Sequence, residues 1–169
     1  MYVPVRRLLV SVLFLTFLPF AALSQGTSIA LGSAAFDSTQ PVEVSADALS
    51  VDQATGEAIF DGNVLVVQGT VRMSAGKVTV EYATGDDGAA NGIASLTASG
   101  GVTFVTATDA AEAHQAVYSI EDSTVILSGN VLLTQGQTAI SGEKLVVDLQ
   151  AGSGRMEGRV RAVIGGTAN

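Results

Sequence analysis

At 169 residues, with sixteen acidic against eight basic side chains, the chain carries a formal charge of −8 and has neither cysteine nor tryptophan. The acidic balance excludes a surface for nucleic acid or anionic lipid headgroups, because both need clustered Lys and Arg. The absence of cysteine excludes disulfides, thiol catalysis and thiolate metal sites, so the fold must rest on burial and backbone pairing.

The first stretch, "MYVPVRRLLVSVLFLTFLPFAALSQG", has Arg6 and Arg7, then an apolar run from Leu8 to Phe20, then small residues at Ala22 and Ser24. That is the layout of a secretory signal cleaved after Ser24, and it implies an extracytoplasmic compartment. The run is 13 residues, short of the ~20 that a membrane-spanning helix needs. A retained membrane anchor is the rival reading. Cleavage removes two basic residues and no acid, giving a formal charge of −10. About 145 residues remain, a length that suits one domain with a substantial core.

Residues 25–40, "QGTSIALGSAAFDSTQ", are small, polar and aperiodic, and read as a flexible lead-in. From Pro41 to Ile164 the pattern changes to short runs rich in Val, Ile, Thr and Leu, punctuated every eight to twelve residues by Gly, Asn, Asp or Ser. No proline follows Pro41. These are strand signatures, and no apolar stripe of helical period is long enough for a stable helix. Val78, Val80 and Tyr82 share one face against Lys77, Thr79 and Glu81. Leu145, Val147 and Leu149 repeat the pattern, as do Leu49 and Val51. Period-two alternation predicts sheets covered on one side. Thr84–Gly92, "TGDDGAANG", reads as one long mobile loop, and residues 165–169 as a short tail.

The chain repeats itself. "FDGNVLVVQGTVRMSAGKVTVEY" (60–82) and "LSGNVLLTQGQTAISGEKLVVDL" (127–149) align 67 residues apart without a gap, sharing Gly-Asn-Val, Gln-Gly and a lysine at Lys77 and Lys144. A third variant places Gly100-Gly101-Val102 at the Gly-Asn-Val position. Such units bury one face only against their neighbours. The expectation is all-β: an open, elongated antiparallel β-jelly roll of repeated hairpins spanning 41–164.

Reaction chemistry finds little support. His114 is the only histidine, and no second ligand or nucleophile completes a metal site or triad around it; it reads as an exposed strand-end residue. Asp86-Asp87 and Glu121-Asp122 lie in predicted turns, where paired acids are solvated; a glycosidase would need them facing across a cleft. "GSGRMEG" (152–158) lacks the strand-to-helix setting of a phosphate loop. Arg155, Arg159 and Arg161 hold half of the mature positive charge and read as an exposed strand face near an edge, with a partner or phosphate site as the alternative. The expectation is a protein that is no enzyme and holds neither cofactor nor metal. Abundant Val, Ala, Gly and Thr with few aromatics suggest an oily slot between incompletely filled sheets.

"PVEVSADALSVDQATGEAIFDGNVLVVQGTVRMSAGKVTVEY" resembles the start of the LptA/OstA family of periplasmic lipopolysaccharide transport proteins. The likeness rests on its Pro-apolar-x-apolar opening, its Ala/Ser-Asp, its Gly-Asn-Val and its Gln-Gly. "AHQAVYSIEDSTVILSGNVLLTQGQTAISGEKLVVDLQAGSGRMEG" extends the likeness over about Pro41 to Ile164. The resemblance implies an antiparallel jelly roll open at both ends, stacked head-to-tail into a bridge. An LptC-like inner-membrane component lies at one end of that bridge and an LptD-like outer-membrane translocon at the other. It also implies an apolar interior that carries lipid A acyl chains. Exposing one ~14-carbon chain costs on the order of 10 kcal/mol at about 0.8 kcal/mol per CH₂, so such a lipid cannot cross water bare.

Carried onto this sequence, the lipid-lining candidates are Val42, Val44, Phe104, Tyr118 and Ile120, with ordinary core as the rival role for each. The free edges that would accept a partner strand fall on Val42, Val44, Leu49 and Val51 at one end and Arg159, Val160, Arg161 and Val163 at the other. The loop around Gly85–Gly92 and the short tail depart from the family pattern. The rival identities are a membrane-tethered LptC-like component, a secreted carbohydrate-active jelly roll and a structural β-solenoid.

Overall fold

The computed structural model describes residues 27–31, 36–52, 55–85 and 90–165. The expected signal with Ser24, Asp86-Asp87 and all of the tail but Gly165 lie outside them. The described chain is eleven strands: β1 (Thr27–Ala30), β2 (Glu43–Ser45), β3 (Ala48–Val51), β4 (Ala58–Gln68), β5 (Val71–Thr84), β6 (Ala90–Val105), β7 (Asp109–Ser119), β8 (Thr124–Gln135), β9 (Thr138–Asp148), β10 (Ser153–Glu157) and β11 (Arg161–Ile164). They form one antiparallel sheet in the order β1-β10-β9-β8-β7-β6-β5-β4-β2, with β3 also on β4 and β11 also on β9. Sequential hairpins build β3 to β10; β2 pairs with β4 and β11 with β9, each past its neighbour in the chain, and β1 pairs with β10.

The repeated Gly-Asn-Val marks a line that crosses the whole sheet. Gly62-Asn63 on β4 lies opposite the single residue Gly76 on β5. Gly100-Gly101 on β6 lies opposite His114 on β7, and Gly129-Asn130 on β8 opposite Glu143 on β9. Two residues facing one is a β-bulge, which bends the strand and increases its twist. Every residue of the three pairs has positive φ, as do Gly158 and Arg159 between β10 and β11. Gly and Asn are the residues that adopt this conformation at least cost. The line also divides the end strands: β2 and β3 pair with the two halves of β4, and β11 and β10 with the two halves of β9.

Folded along this spine, the sheet becomes two walls facing each other. One holds Val78, Val80, Leu96, Ala98, Ala116, Tyr118, Val125, Leu127, Leu145, Val147 and Met156. The other holds Val64, Val66, Val71, Met73, Val102, Phe104, Ala111, Val131, Leu133 and Ile140. All belong to one buried apolar cluster. Burial switches parity at the spine in β5, β7 and β9, as where Ala113 and Ala116 are buried around exposed His114 and Gln115. An uninterrupted alternation would have sent half of each strand's apolar side chains into water.

Several expectations are corrected. The lead-in 25–40 contributes β1, which pairs in register with β10 from Thr27↔Met156 to Ala30↔Ser153. The loop 84–92 is shorter than expected, because Thr84 pairs with Ala90 and Tyr82 with Ile93. Tyr82, expected on the covered face with Val78 and Val80, is 42% exposed where its pairing with β6 becomes irregular. Leu49 and Val51, expected on a covered face, are 58% and 62% exposed because β3 is an edge strand whose described surroundings cover neither side. His114 lies at the middle of β7, not at a strand end.

Candidate functional site

The spine is braced on its outer face. Asp47 sits opposite the first bulge: its amide donates to the Gly62 carbonyl at 2.9 Å, and its carboxylate accepts from Asn63 Nδ2 at 2.7 Å. His114 lies over the second Gly-Asn, with Nε2 at 3.4 Å from Asn130 Nδ2. A Cβ at Gly129 would stand 2.9 Å from His114 Nδ1. Arg159 Nε and Nη2 donate to Glu143 Oε1 at 3.1 and 2.9 Å. The one histidine therefore packs over a bend. Among the described residues no group of three or more His, Asp or Glu is placed to hold a metal. Glu121 and Asp122 are exposed at the β7–β8 turn, where Asp122 accepts from Ser119 Oγ at 2.8 Å.

The interior between the walls is the candidate site. Phe104 and Tyr118 lie on opposite walls and are both buried, while Val42, Val44 and Ile120 are half-buried against the same cluster. The fold brings all five positions to one interior. Near Leu31, Phe104, Leu133 and Val147 the free volume is about 10 Å³, close to the least that holds one water. The walls are in contact there.

Three polar side chains on the interior rim, Gln68, Gln135 and Asp109, were not assigned roles from sequence. Tyr118 Oη donates to Gln68 Oε1 at 2.5 Å from the opposite wall. Burial pushes the Tyr118 hydroxyl up to about 12, since a phenolate there would be desolvated. Gln68 Nε2 donates to the carbonyls of Gln40 at 2.9 Å and Ser38 at 3.3 Å. Gln135 Nε2 donates to the Ala30 carbonyl and to Asp109 Oδ1, each at 2.9 Å. Gln68 and Gln135 are the glutamines of the two Gln-Gly motifs. The 67-residue repeat was the signal for them; it marked them as equivalent without saying what they hold.

The edge candidates divide. Val44 lies in β2, Leu49 and Val51 in β3, and Arg161 and Val163 in β11, while Val42, Arg159 and Val160 lie just before strands. Among the described residues no strand pairs the outer side of β2, β3 or β11. β10, whose Arg155 was read as lying near an edge, is covered by β1. Val163 and Ile164 are 56% and 77% exposed on β11. Arg159 is tied to Glu143, and Arg155 and Arg161 are exposed.

These features define a class: a one-sheet antiparallel jelly roll with an apolar seam along its length and apolar strands at its ends. The chain belongs to the LptA/(LptD N-terminal domain) LPS transport protein family, whose model matches residues 43–153. It is 30% identical over 148 residues to an uncharacterized protein of Rhizobium meliloti (strain 1021), covering 83% of this chain and 80% of that one. Over 116 residues it is 31% identical to the lipopolysaccharide export system protein LptA of Escherichia coli (strain K12), covering 64% and 60%. The crystal structure of LptH, the LptA-homologous periplasmic component of the lipopolysaccharide transport device of Pseudomonas aeruginosa, shares the fold. It superposes with a TM-score of 0.67 at 23% identity, over 77% of this chain and 99% of that chain. The family is one of transport proteins, and this member is not an enzyme.

Proposed function

We propose that the chain is exported to the periplasm by cleavage after Ser24 and carries lipopolysaccharide there, shielding lipid A acyl chains between its two walls. The observation that supports this best is the apolar seam, continuous from Val44 and Val66 through Phe104 and Tyr118 to Leu145 and Met156. A lipid with several acyl chains needs such a lining along its path, while its sugars and phosphates stay in water outside an acidic exterior that does not bind them.

The exposed apolar strands at both ends suit strand addition. In this reading β2 and β3 take an LptC-like inner-membrane component or the preceding copy of the chain. β11 takes the next copy or an LptD-like outer-membrane translocon. Stacking wall on wall would continue the seam from one subunit into the next.

A photo-crosslinking residue at Phe104, Tyr118 or Val44, compared with outward-facing Glu81, tests the seam in cells. Lipopolysaccharide adducts at the three interior positions and none at Glu81 are expected. Folded, exported protein without adducts at any interior position would overturn the reading.

A further inference from the structure

The two repeat-equivalent glutamines grip the same piece of chain. Gln135, at the end of β8, holds the Ala30 carbonyl, and Gln68, at the end of β4, holds the carbonyls of Ser38 and Gln40. Both lie on one rim of the folded sheet, at the hairpin turns farthest from the spine. Ala30 and Leu31 are fastened to the opposite rim as well, through the pairing of β1 with β10 and a 3.0 Å bond from the Leu31 amide to the Gly152 carbonyl. The chain on either side of residues 32–35 is thus tied down at two points along the open side of the sheet.

What it inserts is apolar. Leu31 is buried among Phe104, Leu133, Leu145 and Val147. Gly154 makes room for it, since a Cβ there would lie 3.1 Å from Leu31 Cδ1. Phe36 packs on the same cluster farther along. Between them and Gln40 the backbone turns at Asp37, whose carboxylate accepts from the Thr39 hydroxyl at 2.6 Å, the Thr39 amide at 3.0 Å and Gln40 Nε2 at 2.9 Å. The lining that an acyl chain would meet is met here by the protein's own leucine.

We infer that Ala30–Leu31 and Phe36–Gln40, clamped by Gln135 and Gln68, form an intramolecular strap that closes the apolar interior, and that an acyl chain is admitted only when the strap lets go. The inference rests on the lipid-carrying reading and adds a closed, self-occupied state to it. Tyr118 joins the device from the far wall: its hydroxyl is bonded to the Gln68 carbonyl oxygen, so release of Gln68 also frees the walls to part. Each clamp bond lost shifts the closed–open balance about fivefold toward open.

The absence of cysteine allows a reversible lock. Ala30→Cys with Ser153→Cys places two thiols at a directly paired position of β1 and β10, within the Cα separation that a disulfide spans. With a photo-crosslinker at Phe104 and purified rough-type lipopolysaccharide as the probe, the oxidised protein should label about tenfold less than the same protein after reduction. Gln68→Ala with Gln135→Ala should label more than the unmodified chain. Equal labelling of the oxidised and reduced forms, with the unmodified chain also labelled, would overturn the strap and leave lipid carriage standing. No labelling of any form would remove the lipid site itself, and the strap with it.

Discussion

Tyr118 and Gln68 are fifty residues apart in sequence and on opposite walls of the folded sheet, yet the tyrosine hydroxyl donates to the glutamine carbonyl oxygen at 2.5 Å in the buried interior. This bond fixes the distance between the walls at one rim. Tyr118→Phe leaves the Gln68 oxygen buried without that donor, and a loss of about 1–2 kcal/mol is expected in urea denaturation at neutral pH.

The same hydroxyl makes a pH-dependent contribution. Burial raises its pKa from 10.0 to about 12, so the folded state holds the proton more tightly than the unfolded chain. The contribution is complete below pH 10 and is lost as pH rises toward 12. Tyr118→Phe should flatten the alkaline decline of stability over that window. Parallel curves for the variant and the parent would show that other groups govern it.

The spine makes a prediction about backbone conformation. Asn130 has φ of 50° and Gly129 of 81°. Asn130→Gly should change the melting free energy by less than about 0.5 kcal/mol, whereas Asn130→Val should cost about 1–2 kcal/mol, because a β-branched residue does not fit the left-handed region. Gly129→Ala should remain costly even with His114→Ala, since the Cβ at position 114 still stands 3.0 Å from the new methyl and the φ of 81° stays strained.

Strand phase is testable on β8. Leu127 and Leu133 are buried and Leu132 faces outward at 39% exposure. Leu127→Ala should cost about 2–5 kcal/mol, and Leu132→Ala less than about 1 kcal/mol. Similar costs at the two positions would contradict the parity described for this strand.

The end strands predict concentration-dependent assembly. Val163→Lys with Ile164→Lys places two charges on the exposed β11 and should shift sedimentation toward the monomer without lowering the melting temperature, as should Leu49→Lys with Val51→Lys on β3. Assembly that persists in both double variants would remove these edges from the interface.

Much of the fold was legible in single residues. Alternation in "GEKLVVDL" marked Leu145, Val147 and Leu149 as inward, and all three are buried. The Gly-Asn-Val repeat is written in residues that favour positive φ, and the bulges stand there. Phe104 and Tyr118 were named as lipid-lining candidates only through the family resemblance, and both are buried. Leu49 and Val51 were misread because alternation assigns a face and says nothing of whether another layer lies over it.

Local stereochemistry therefore determined the all-β class, the inward face of most strands and the sites of the bends, since period-two alternation and left-handed backbone are properties of neighbouring residues. Only the tertiary structure decided that the bends align into one spine, that Thr27–Ala30 takes the edge of β10, and that Gln68 and Gln135 turn inward to hold backbone far from them in sequence. Those contacts depend on how distant strands register once the sheet has folded. A short polar lead-in and a repeated glutamine carry no local preference that could encode it.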